Sequence, residues 1–166
     1  MSSTFTDDIM QLIPTRYFIT SGKAVSGTSP LNAFDRALMA AGISEQNLVA
    51  VSSVIPDGSA MVDRIELPMG AVTHCVLSQM RGKSKETISA GIAYAYRKDG
   101  KGGYVAEGHL HGSGESLRDE LDKKVREMSK IRNTEFGETH FVIEEMQVPE
   151  SMYGCCIASL VFTEYR

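Results

Sequence analysis

Ser52 and Ser53 stand side by side inside the apolar run Leu48-Val49-Ala50-Val51-Ser52-Ser53-Val54-Ile55. A run of that composition reads as a buried strand, and a buried hydroxyl costs stability unless it finds a partner. The plain explanation is that each serine bonds a neighbouring backbone group in the turn before Pro56-Asp57-Gly58. The chemical explanation is attack by the second hydroxyl on the carbonyl just before it. That needs a distorted backbone and donors aimed at the developing oxyanion. Taken alone, two serines in a strand favour the plain explanation.

Three other residues carry groups able to act near such a pair. Asn47 lies six residues before Ser53 and reads either as a turn residue after Gly42 or as an amide donor to the attacked carbonyl. Alternation along a flat strand does not bring Asn47 beside Ser52, so the second reading requires a local bend. Asp35 shares a helix face with Leu31 and Leu38, which sets a carboxylate on an apolar stripe. There it must reach water, a cation or hydrogen-bond donors. Glu107 ends the short apolar stretch Tyr104-Val105-Ala106, a position usually left exposed. Metal ligation finds little support, because His109 and His111 sit in a glycine-rich stretch and His74-Cys75 lies elsewhere. A zinc site needs about four ligands at recognisable spacing, so no metal is expected. Dinucleotide, phosphate-loop, zinc-protease and nucleophile-elbow motifs are absent.

The elements that must hold these residues are legible in outline. Met1 to Gln11 is expected to fray. Thr15 to Thr20 reads as a strand and Gly22 to Gly27 as a loop. Ser29 is a good N-cap with Pro30 at the first helical position, and Gly42 closes that helix. Asn47 to Ile55 reads as one strand and Met69 to Met80 as another. In the next strand Ile88, Ala90, Ile92, Tyr94 and Tyr96 alternate with Ser89, Gly91, Ala93 and Ala95. The bare face suits close approach of a second sheet, and the bulky face is left partly for a neighbouring subunit. Tyr104 to Glu107 reads as a short strand, and Ser116 to Ile131 as an amphipathic helix with Leu117, Leu121, Val125 and Met128 inward. Thr139 to Val148 and Gly154 to Thr163 are the last strands, the latter rich in small residues. This order looks like one strand-helix-strand-strand unit used twice, without a visible residue repeat.

Composition narrows the function classes. A chain of 166 residues with 42% hydrophobic and 23% charged residues suits one ordinary globular domain. A net charge of −4 argues against a nucleic-acid binder, and the mixed cluster from Arg118 to Arg132 reads as a solvated helix face. No apolar stretch approaches the ~20 residues of a membrane span, and the polar N-terminus lacks a leader pattern. Cys75, Cys155 and Cys156 read as small buried hydrophobes in a reducing cytoplasm.

The residues around the serine pair add a resemblance. Upstream stand Ser29-Pro30-Leu31-Asn32-Ala33-Phe34-Asp35, Ala41-Gly42-Ile43 and Asn47-Leu48. Downstream stand Leu67-Pro68-Met69-Gly70-Ala71 and Glu86-Thr87-Ile88-Ser89-Ala90. This ordered set closely resembles the pyruvoyl-dependent arginine decarboxylases, from about Thr28 to Lys98. It continues more loosely through Glu107, Val125-Arg126-Glu127-Met128 and the C-terminal strand.

The resemblance implies an α+β fold, a four-layer α/β/β/α sandwich. It implies self-cleavage between Ser52 and Ser53 into a β chain, 1–52, and an α chain, 53–166, with Ser53 converted into a pyruvoyl group. Neither metal nor pyridoxal phosphate is then required. The implied activity is conversion of arginine to agmatine and CO2 for polyamine synthesis, in a cytoplasmic enzyme. Asp35 would meet the substrate guanidinium beside Leu31, and a carboxylate's two oxygens suit that planar fork. Glu107 would donate the proton, with Glu115 as the alternative. A trimer or hexamer is implied, with the site between subunits and Glu107 expected to reach a neighbour's Ser53 and Asp35. Two other readings remain open here: the same chemistry on histidine, lysine or another amino acid, and an uncleaved paralogue with a structural or regulatory role.

Overall fold

The computed structural model describes residues 11–166, so the expectation for the first ten residues lies outside it. In chain order the elements are β1 (Pro14–Ser26), α1 (Pro30–Ala41), β2 (Asn47–Ala50), β3 (Val54–Ile55) and β4 (Ala60–Met61). Then follow β5 (Val72–Lys83), β6 (Thr87–Tyr96), β7 (Gly103–Leu110), α2 (Gly114–Ile131), β8 (His140–Gln147) and β9 (Tyr153–Tyr165). The strands form a five-stranded sheet, β2-β5-β9-β1-β4, and a four-stranded sheet, β3-β7-β6-β8.

Three apolar cores set the layers. Ala33, Ala37 and Ala41 of α1 pack on Phe18, Ile157 and Val161 of the first sheet. Leu117, Leu121 and Val125 of α2 pack on Ala93, Ala95 and Ala106 of the second. Between the sheets, Tyr17, Val76 and Leu160 meet Ile92, Tyr94 and Val105. The result is the expected mixed α+β sandwich, helix outside each sheet. Each large side chain fully buried in these seams contributes roughly 1.5–3 kcal/mol.

Helix boundaries follow the sequence closely. The Ser29 hydroxyl accepts from the Asn32 amide at 3.1 Å, and Gly42 ends α1 with φ of 74°. A left-handed residue there releases its amide to close the last carbonyls of α1, which glycine does without steric cost. The cysteines are free and buried, and burial pushes Cys155 up to about 11 and Cys156 up to about 12.

Four expectations are corrected. Gly22 lies within β1, not in a loop, because α1 crosses the strand at that point. A Cβ on Gly22 would sit 2.5 Å from the Ala37 carbonyl oxygen. The bare face of β6 receives α2, whereas its bulky face, with Ile88 and Ile92 fully buried, meets the other sheet. Alanines give a broad helix room, and large side chains fill the gap between sheets. From Ile88 to Tyr94 that bulky face is covered within the chain, Tyr94 being only 9% exposed, and Tyr96 at its end is half-buried. The two sequence units also exchange strands, since β9 lies in the first sheet and β3 in the second.

The fourth correction concerns the serine strand, which is two short strands in different sheets. β2 runs parallel to β5, and β3 runs antiparallel to β7. Val51, Ser52 and Ser53 carry the chain across between them.

The Gly22 contact is testable. Gly22→Ala should lower stability by about 1–3 kcal/mol, the usual cost of overpacking, seen as a lower urea midpoint. An unchanged midpoint would mean that α1 does not press on β1 there.

Candidate active site

The serine pair is held at both ends and unsupported between them. The Val51 amide donates to the Cys75 carbonyl at 3.0 Å, the last bond of the β2 ladder. The Val105 amide donates to the Ser53 carbonyl at 3.0 Å, as the chain enters the β3 ladder. Neither serine gives its own amide to a backbone carbonyl among the described residues. The Ser52 carbonyl instead accepts from the Val54 amide at 2.9 Å, a tight turn centred on Ser53. A donor therefore already rests on the carbonyl that Ser53 would attack, where an oxyanion would develop.

The two side chains part at this turn. Ser53, half-buried, donates from its hydroxyl to Glu107 Oε2 at 2.7 Å. Strand alternation puts Glu107 on the same face of β7 as buried Val105, but β3 is too short to flank it. Its carboxylate is consequently exposed, at the edge of the sheet. Lys124 of α2 donates to the Glu107 carbonyl at 3.2 Å and pairs with Glu120 at 2.8 Å. Ser53, Glu107, Lys124, Glu127 and Met128 line one open cleft of about 390 Å³. Ser52 faces a different cavity, beside His74 and Tyr165.

The remaining sequence candidates lie elsewhere on the chain. Asn47 starts β2 and its side-chain amide donates to the Gly70 carbonyl at 2.9 Å, clipping the turn before β5. Within one chain it does not meet the serine pair. Asp35 and Leu31 sit on the solvent face of α1, because Ala33, Ala37 and Ala41 form the buried face. The first sheet separates them from Ser53. Glu115 lies nine residues before Lys124 on α2, ~14 Å along the helix axis, so it stands away from the serine cleft. His111 approaches Glu86 at 3.8 Å, and no group of three or more potential metal ligands gathers among the described residues. Glu107, expected to reach a neighbour's Ser53, here bonds Ser53 of its own chain.

The family model for pyruvoyl-dependent arginine decarboxylase matches residues 16–166. The chain belongs to the pyruvoyl-dependent arginine decarboxylase family. A relative of that name from Methanothermobacter thermautotrophicus is 35% identical over 147 residues, 88% of this chain and 95% of its own length. Another from Methanocaldococcus jannaschii is 35% identical over 154 residues, 89% of this chain and 88% of its own. One from Thermococcus kodakarensis is 32% identical over 154 residues, covering 92% and 97%.

A pyruvoyl group goes with membership of this decarboxylase family, and the serine crossover fits one. Its peptide is free of either ladder, its carbonyl carries a donor, and its hydroxyl is oriented by a carboxylate. No helix among the described residues is long and apolar enough to cross a membrane. Lys124 was not legible as a site residue, since it reads as one of several charges on a solvated helix face. His74 and Tyr165 were equally silent, because nothing in their spacing relates them to Ser52.

Proposed function

We propose that this chain cuts itself between Ser52 and Ser53 and then decarboxylates arginine to agmatine. The observation that carries the reading is the 2.7 Å contact between Ser53 and Glu107, at a peptide outside both sheets. Glu107 fixes the Ser53 hydroxyl toward the cleft, and the Val54 amide polarises the Ser52 carbonyl. Attack by the hydroxyl moves the Ser52 acyl group from nitrogen to oxygen, turning the peptide into an ester. Loss of the proton on the Ser53 α-carbon then breaks the ester, freeing Ser52 as a carboxylate and leaving dehydroalanine at 53. Water converts that residue to pyruvoyl and releases ammonia.

The group so formed supplies an electron-withdrawing carbonyl to the substrate's α-carbon as CO2 leaves. Glu107, beside position 53, delivers the proton that replaces the lost carboxylate on that carbon. Arginine plus one proton thus gives agmatine plus CO2. General acids in such roles contribute ~10²–10⁴-fold.

Asp35 comes from a second copy. A paired carboxylate matches a guanidinium, yet the Asp35 of the same chain is on the wrong side of the first sheet. Leu31 and Met39, one turn to either side of Asp35, are 64% and 60% exposed. Near Asn47, Met69 and Val72 are 80% and 66% exposed. Exposed apolar residues gathered around polar ones suit an interface, here of a trimer or hexamer. Assembly would bring Asp35, Leu31 and Asn47 of one copy to the serine cleft of the next.

Three outcomes follow. Glu107→Gln keeps an acceptor for Ser53, so it should still cleave, while releasing CO2 from arginine at least tenfold more slowly. Wild-type turnover by this variant would remove Glu107 as the proton donor. Asp35→Asn should raise the KM for arginine about tenfold or more, since a hydrogen bond to a charged group contributes about 1.5–3 kcal/mol. An unchanged KM would take Asp35 out of the site. Refolding Ser53→Ala with Asp35→Asn subunits should restore activity at hybrid interfaces, whereas Ser53→Ala with Glu107→Gln should not. Equal rescue of both mixtures would contradict the shared-chain pairing of Ser53 and Glu107.

A further inference from the structure

Ser52 borders a cavity of about 380 Å³ whose lining is otherwise mostly apolar: Leu12, Pro14, Val51, Pro56 and Phe162 form much of it. Two polar side chains besides Ser52 reach that space, His74 of β5 and Tyr165 of β9. They bond each other, His74 Nδ1 to the Tyr165 hydroxyl at 2.8 Å, with the rings edge to face. Among the described residues the other ring nitrogen of His74 makes no hydrogen bond. A few polar groups converging on an apolar hollow are the usual form of a small-ligand site.

The tether identifies the ligand. After cleavage the last ladder bond of the β chain is that from the Val51 amide to the Cys75 carbonyl. Only the remainder of Val51 and Ser52 extend beyond it, and two residues reach at most ~7 Å. The new carboxylate therefore stays beside Cys75, the residue after His74. No lysine, arginine or carboxylate lines the cavity among the described residues. The one ionisable side chain facing His74 across the cavity among the described residues is Tyr165 from β9, held protonated by burial, while β1 and β2 present Pro14 and Val51; the Cys75 thiol points to the other face of β5, into the core under α1.

We infer that His74, set by Tyr165, is the receptor for the carboxylate freed at Ser52. The pair holds the β-chain terminus in its own cavity, on the opposite side of the crossover from Ser53 and Glu107. A carboxylate accepting from an imidazole N–H forms a charge-assisted bond, stronger than a neutral one. Capture of the leaving end also keeps it from re-entering the cleft where arginine must bind. This inference rests on the self-cleavage proposed above.

Two measurements test it. Carboxypeptidase should remove Ser52 from cleaved His74→Phe protein at least tenfold faster than from cleaved wild type. Independently of any change at position 74, diethylpyrocarbonate should label His74 at least fivefold more slowly in cleaved wild type than in uncleaved Ser53→Ala. Equal rates in both experiments on a cleaved protein would overturn the receptor alone. A wild type that stays one chain by intact mass would overturn the receptor and the self-cleavage together.

Discussion

The chemistry proposed for this molecule depends on one crossing. The chain leaves a parallel ladder at Val51 and joins an antiparallel ladder in the other sheet at Ser53. Regular strands satisfy every peptide group, which leaves their carbonyls shielded and their geometry fixed. A crossing between two packed sheets cannot do this, so the peptide joining Ser52 to Ser53 is held only from its ends. The tight turn from Ser52 to Val54 then points a backbone amide at the carbonyl proposed to react. Both sheets are anchored by their own cores, so the crossing is stretched between rigid supports.

Much of this was legible in the residues. The serine pair stood out because hydroxyls do not belong in an apolar run. Ser29, Pro30 and Gly42 marked α1 through chemistry local to each residue. The split of the serine strand was not legible, because alternation describes a residue's face and says nothing about which sheet the strand joins. Gly22 misled for a related reason: absence of a side chain signals a turn or a close approach equally well, and the approaching helix is distant in sequence. The bare face of β6 was read as a sheet contact, when its alanines make room for α2.

The candidate site divides in the same way. Ser53 and Glu107 are brought together by the pairing of β3 with β7, a contact 54 residues apart in sequence. Asp35 failed as a residue on a buried stripe because the α1 face toward the sheet is made of alanines at a different phase. Its exposure, flanked by the exposed Leu31 and Met39, is what the proposed assembly would cover. The proposed nucleophile and proton donor thus lie together on one chain, while the carboxylate proposed to meet the guanidinium lies on the far side of the first sheet. His74 shows how far a strand pairing can carry meaning that spacing cannot, since only the register of β2 on β5 sets it near Ser52.

The most direct measurement is the intact mass of the purified protein under denaturing conditions, beside that of Ser53→Ala. Two chains are predicted for the wild type, residues 1–52 ending in a free carboxylate and residues 53–166 beginning with a pyruvoyl group. The Ser53→Ala protein should remain one chain. A wild type that runs as a single chain of unmodified mass, or a Ser53→Ala protein that still divides at the same bond, would contradict the account.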